Sequence, residues 1–324
     1  MAMNRWFRLA ALAALSTLVA GVAWCQSYPV KPVRWIVPWP PGGGADTLTR
    51  IVSPKLSEAL GQQIIVDNRG GAAGNIGAEL AAKSPPDGYT IAFAYSGTHS
   101  INPSIYSRMA FRESDFTPVI WLSSVPQVVV VHPSLPVRNI KDLIALDKAK
   151  PGQLSYGSSG SGAINHLTGE LFNSMTGTKL VHVPYKGGGP AAVALLSGEI
   201  GMIFGEPASI AQQVKAGRLR AVAVTSAKRS LFLPDLPTVA ESGVPGYEVT
   251  SWNGVLAPAG TPAEIVRRLN SDLNRIIAAP DMTKRMIEFG FEPVGGPPEK
   301  FGEFIRAETA KWAPVVKKAG VKVD

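Results

Sequence analysis

Short runs of β-branched and aromatic residues alternate with helix-forming stretches through most of this chain, and glycine-rich loops mark many of the changes from one to the other. Such alternation specifies βαβ units, and hence a mostly parallel sheet with helices on its faces. In a first series, Pro32 to Pro38 reads as a strand, Asp46 to Leu60 as a helix and Gln63 to Asp67 as a strand. Asn75 to Ala82 is a second helix, Tyr89 to Ala94 a third strand, and Val119 to Leu122 extends the pattern.

A second series opens at Val128 to Val131. It continues with a helix from Ile140 to Lys148, a strand from Leu154 to Tyr156 and a helix from Ile164 to Met175. Leu180 to Val183, Ile200 to Phe204 and Leu219 to Val224 read as further strands. Near residue 250 the character changes: Asn253 to Ala257 is strand-like and the remainder largely helical. Pro262 lies in the first turn of a helix whose apolar stripe is Ile265, Leu269, Leu273 and Ile276. The last helix, Glu299 to Lys318, carries Phe301, Phe304 and Trp312, which suit packing onto a sheet. Two α/β units and a helical tail predict two lobes, residues 26–126 with 250–324, and residues 127–249.

The glycine loops fall at strand-to-helix junctions, where parallel α/β sheets bind ligands. Pro40-Pro41-Gly42-Gly43-Gly44-Ala45-Asp46 is the first. Glycines let a ligand approach the backbone, and the free amides of the next helix can hold a carboxylate or phosphate. The alternative for this loop is a plain tight turn with Asp46 capping the helix. It lacks the lysine and hydroxyl of a Walker loop and the spacing of a dinucleotide loop. Gly70 to Asn75, Tyr95-Ser96-Gly97-Thr98, Gly157 to Gly162 and Gly187-Gly188-Gly189 repeat the pattern in both halves. If the lobes face each other, these loops line the space between them. Ser158, Ser159 and Ser161 can donate hydroxyls to a carboxylate or cap a helix. Glu206, after the strand ending at Phe204, can receive a ligand ammonium or favour a helix start.

The first 25 residues have a separate role. Arg5 and Arg8 precede an apolar run from Leu9 to Ala23, the pattern of a secretory signal peptide, so export is expected. Ala23-Trp24-Cys25 suits cleavage before Gln26; the alternative is a lipid on Cys25, against which the bulk of Trp24 argues. Cleavage there leaves a mature chain without cysteine, which excludes disulfides, thiol nucleophiles and cysteine metal sites. The formal net charge is +8, or +6 without the two leader arginines, split as +3 in residues 127–249 and +3 in the rest. Charge spread so evenly forms no nucleic-acid stripe, so no nucleic-acid partner is expected.

Local catalytic motifs are missing. No serine has glycines two residues to either side, and no two of His99, His132, His166 and His182 stand three to five residues apart. No catalytic residue, metal or cofactor is expected. A secreted hydrolase using Ser158 or Ser161 with His166 is the minor alternative.

Further blocks carry a resemblance. They include Tyr28-Pro29-Val30-Lys31-Pro32-Val33-Arg34, the Pro40 to Asp46 loop, Val66-Asp67-Asn68-Arg69, Gly74-Asn75-Ile76-Gly77 and Pro86-Asp87-Gly88-Tyr89-Thr90. Tyr156-Gly157-Ser158, His182 to Gly188, Leu233-Pro234-Asp235 and Ala257 to Pro262 follow. Across the whole mature chain the sequence resembles the Bug family, the extracytoplasmic receptors of tripartite tricarboxylate transporters. The resemblance implies an α/β, two-lobed, periplasmic-binding-protein-like fold of type II that closes like a Venus flytrap. It implies a periplasmic monomer capturing a small carboxylate (a di- or tricarboxylate, an acidic amino acid or an aromatic acid) for two membrane subunits. A membrane sensor is the alternative partner. The family's ligand loops fall on Trp39, Pro40, Gly42, Gly43, Gly44 and Asp46, on Ser96, Gly97 and Thr98, on Ser158, Ser159, Gly160 and Ser161, and on Phe204 and Glu206. Asn75 and His166 complete the candidate set.

Overall fold

The computed structural model describes residues 28–322. The signal peptide and the question of Cys25 lie outside the described residues. The element order is β1 Val33–Val37, α1 Gly44–Leu60, β2 Ile64–Asn68, α2 Asn75–Ala82, β3 Thr90–Tyr95, β4 Phe116–Pro126 and β5 Val128–Val131. Next come α3 Ile140–Ala149, β6 Ser155–Ser158, α4 Ile164–Thr176, β7 Val181–Pro184, α5 Gly188–Leu196, β8 Met202–Gly205, α6 Pro207–Lys215 and β9 Arg220–Val224. The chain ends with β10 Thr250–Pro258, α7 Ala263–Ala278, α8 Pro280–Glu288, β11 Glu292–Pro293 and α9 Pro298–Ala319.

The strands form two sheets, in the orders β11-β4-β10-β3-β1-β2 and β7-β6-β8-β5-β9. Only Gln127 separates β4, in the first sheet, from β5, in the second; β9 lies in the second sheet and β10 is back in the first. The expectation of mostly parallel sheets needs correction. β10 runs antiparallel to β3 and β4, and β5 runs antiparallel to β8 and β9. These two strands come from the other sheet instead of following a helical crossover, so each enters its sheet from the opposite end. Both sheets thereby share a five-strand plan, three parallel strands, the incoming antiparallel strand and a further strand, to which the first sheet adds β11 at its edge.

Helices cover both faces of each sheet. Leu48, Val52, Leu56 and Leu60 recur every four residues along α1 and pack with Trp35 and Ile91 of the first sheet and Leu269 and Leu273 of α7. Ile36, Ala92 and Trp252 face the other way, against Ala78 and Ala81 of α2 and Phe301 and Ile305 of α9. The far half of α9 leaves that body: Trp312 and Val316 pack with Leu167 and Phe172 of α4, and Lys318 Nζ donates to Ser174 Oγ at 3.0 Å. The C-terminal helix, read from sequence as belonging to the first lobe alone, therefore spans both.

Candidate functional site

A cleft of about 1210 Å³ opens between the two sheets, lined by residues from both. Its first wall is the loop Trp39 to Ala45. Gly42 takes a φ of 85°, a conformation open to glycine, and its amide donates to Asp46 Oδ2 at 2.9 Å. Asp46 is buried and receives Arg50 Nε at 3.0 Å. Burial works against its charge, but hydrogen bonds from Arg50 and Gly42 outweigh it and hold the carboxyl below its ordinary pKa. Asn68 Nδ2 ties the other end of the loop by donating to Trp39 O at 2.9 Å.

Behind Trp39, Ala72 and Ala73 both take positive φ, 46° and 53°. Side chains with a Cβ adopt this conformation at a cost, and only where surrounding contacts hold them. Thr98 Oγ1 and Asn102 Nδ2 do so by donating to Ala73 O at 3.0 and 3.1 Å, and Asn102 also donates to Asn75 Oδ1 at 2.7 Å. Ala73 and Asn102 face the cleft.

The second wall is the loop Ser159 to Asn165, with Gly187 to Gly189 and Phe204 to Pro207 beside it. Ser158 stands behind it, fully buried: its Oγ contacts His182 Nε2 at 2.6 Å and accepts the Gly160 amide at 3.1 Å. Gly162 N donates to His166 Nδ1 at 3.0 Å, and the His166 and His182 rings stack at 3.7 Å. Burial pushes both imidazoles down to a pKa of about 4, so they are neutral near pH 7 and His166 Nδ1 is free to accept that amide. Ser159 N and Oγ both donate to Asn165 Oδ1.

The amino ends of α1, α4, α5 and α6 all reach this cleft, and none is capped by a side chain. Their first-turn amides have no helical carbonyl to bond, so each end carries positive potential. Glu206 precedes α6; its backbone carbonyl accepts from Ser209 N and Oγ, while its side chain makes no cap bond. Glu206 is exposed to the cleft, yet the protein packed around it disfavours the charged form and raises its pKa. It lies close enough to Tyr95 to raise the phenol's pKa, behind the larger effect of burial.

Of the candidates, Trp39, Pro40, Gly42, Gly43, Gly44, Gly97, Ser159, Gly160, Ser161, Phe204 and Glu206 line the cleft. Asp46, Asn75, Ser96, Thr98, Ser158 and His166 do not: Ser96 is buried, and the other five stand one layer back, shaping the loops that a ligand would touch. Ser158 contacts His182, not His166, and its hydroxyl is fully buried behind the loop. Tyr95, read as part of a cleft loop, also lines the cleft; sequence reasoning missed Asn102, Tyr106, Ser251, Asn253 and Phe289 to Phe291. Phe289 to Phe291 come from the helical tail and carry no local signal.

Two mixed α/β sheets of one topology, joined by crossing strands and enclosing a ligand-sized cleft, define a type II periplasmic solute-binding protein. Residues 48–321 match the family model described as the tripartite tricarboxylate transporter family receptor. The chain is 36% identical over 324 residues to Protein BugT of Bordetella pertussis, covering 98% of each. Rpa4515 of R. palustris, solved with adipate, is 41% identical with a TM-score of 0.79, over 91% of this chain and 99% of that one. MatC from Rhodopseudomonas palustris, solved with bound malate, is 28% identical with a TM-score of 0.74, over 89% and 100%. The chain belongs to the Bug family of tripartite tricarboxylate transporter receptors, and is a solute-binding receptor, not an enzyme.

Proposed function

We propose that this chain captures a small carboxylate in the interlobe cleft and presents it to the two membrane subunits of a tripartite transporter. The observation that carries the reading is the convergence of four uncapped helix amino ends on one cleft. One carboxylate of the ligand is held by the amides of the Gly42 to Ala45 loop, with the loop Ser159 to Gly162 closing over it. The relatives' adipate and malate are both carboxylates, which supports the class. The moving bodies are built on the two sheets, residues 28–126 with most of 250–322, and residues 127–249, hinged where β4 passes into β5 and where the chain returns to β10, while the far half of α9 rests on the second. Closure excludes water and creates the surface that the membrane partner reads.

A thermal-shift screen against mono- and dicarboxylates, hydroxy acids and amino acids, followed by calorimetry, tests the reading. A saturable rise in Tm for a carboxylate is expected, because a ligand bound only by the folded state stabilises it. A panel without any rise, on protein unfolded and refolded to strip bound solute, counts against it. Loss of solute uptake on deleting the gene supports transport; intact uptake with altered gene expression favours the sensor.

A further inference from the structure

The positive potential of the cleft comes from helix amino ends alone. Among the described residues lining it there is no lysine, arginine or histidine, and Glu206 is the one charged side chain. A fully ionised diacid filling this space would bring two negative charges into a site that already holds a third, with no cation to offset them. Like charges brought together out of bulk water repel strongly, and an unpaired charge in such a place is costly.

The fold gives Glu206 no other employment. The helix that follows is started by the residue's backbone carbonyl, and its side chain forms no cap bond. It projects from the end of β8 in one lobe, near Tyr95 at the end of β3 in the other. Tyr95 meets Trp39 edge to face, with ring centroids 5.9 Å apart, and both rings line the same cleft as Glu206. A lone carboxylate in a cleft without cationic side chains favours an ammonium group by charge-assisted hydrogen bonding, and aromatic rings in the same cleft are compatible with a cation.

We infer that Glu206 selects the far end of the ligand, and that the preferred solute is a small zwitterion with one carboxylate on the helix amides and an ammonium group against Glu206. This rests on the carboxylate-capture reading above and narrows it. Burial raises the pKa of Glu206, and an ammonium partner would oppose that shift by favouring the carboxylate form.

The test is calorimetry at pH 7.5 with matched pairs of equal chain length, 5-aminopentanoate against adipate and 4-aminobutyrate against glutarate, together with α-amino acids. Wild-type protein is expected to take an amino acid about tenfold or more tightly than any diacid. Glu206→Gln is expected to remove that preference or reverse it, and Glu206→Asp to keep its sign. Unchanged melting of the ligand-free variants verifies that they are folded. Diacids binding as tightly as amino acids, or a preference unmoved by Glu206→Gln, overturns the selector and leaves carboxylate capture standing. Failure of every carboxylate to bind the wild-type protein overturns both.

Discussion

Gly254 sits in the middle of β10, where an added Cβ would run into the Phe301 ring and come within 2.7 Å of the Ile120 carbonyl oxygen. The ring could turn, but the carbonyl belongs to the neighbouring strand and cannot retreat without breaking the sheet. Gly254→Ala is therefore expected to lose about 1–3 kcal/mol of stability, read from urea unfolding. Histidines set the response to acid. His99 and His166 are 7% and 5% exposed, and burial pushes each pKa down to about 4 from the ordinary 6.5. Between those two values the unfolded chain binds more protons than the folded one. Their contribution is thus intact above pH 6.5 and is lost as pH falls towards 4, by about 1.4 kcal/mol per pH unit for each residue fully titrating. Chemical unfolding at pH 7, 6, 5 and 4.5 reads this directly; a flat profile contradicts the burial argument.

At the scale of elements, the junction of β1 and α1 depends on a residue that faces away from the ligand. Asp46 accepts the Gly42 amide and the Arg50 guanidinium, and so sets the curvature of the glycine loop from behind. Asp46→Ala is expected to cost about 1–3 kcal/mol in stability and to weaken carboxylate binding more than an equally destabilising change elsewhere, as measured by paired melts and titrations. The same junction indicates what a sequence can reveal. Periodicity found α2 at Asn75–Ala82 and β5 at Val128–Val131, because each has a uniform local pattern. It passed over α5, which opens Gly188-Gly189-Pro190 and reads as another turn. Glycine spacing led to the right loops in both lobes. It could not tell a cleft-facing Ser159 or Ser161 from a buried Ser158, since that depends on His182, 24 residues away from Ser158 and on another strand. The antiparallel entries of β5 and β10 were equally hidden: direction in a sheet follows from where the chain arrives in space, not from its own residues.

On the scale of the molecule, the two bodies do not have separate interiors. Ile101 and Ile105, which follow β3 of the first sheet, are buried among Leu167, Phe172 and Phe204 of the second, and so are Trp312 and Val316 of α9. Trp312 is completely buried, and its Nε1 donates to Glu308 Oε2 at 3.0 Å. Unfolding either body would thus expose apolar surface of the other, which couples their stabilities although the cleft divides them. The protein is expected to melt in one transition, with calorimetric and van't Hoff enthalpies equal. A ligand at one hundred times its Kd should move that whole transition, adding about 2.7 kcal/mol. Trp312→Ala removes the largest shared side chain and is expected to cost about 3–5 kcal/mol. If α9 is what joins the bodies, the variant should also lose enthalpy equality as the second body begins to melt before the first. Two resolved transitions in the wild-type protein would mean that the shared interior does not couple them. The opening of the cleft would then be limited by the crossing strands alone, with α9 only resting against the second body.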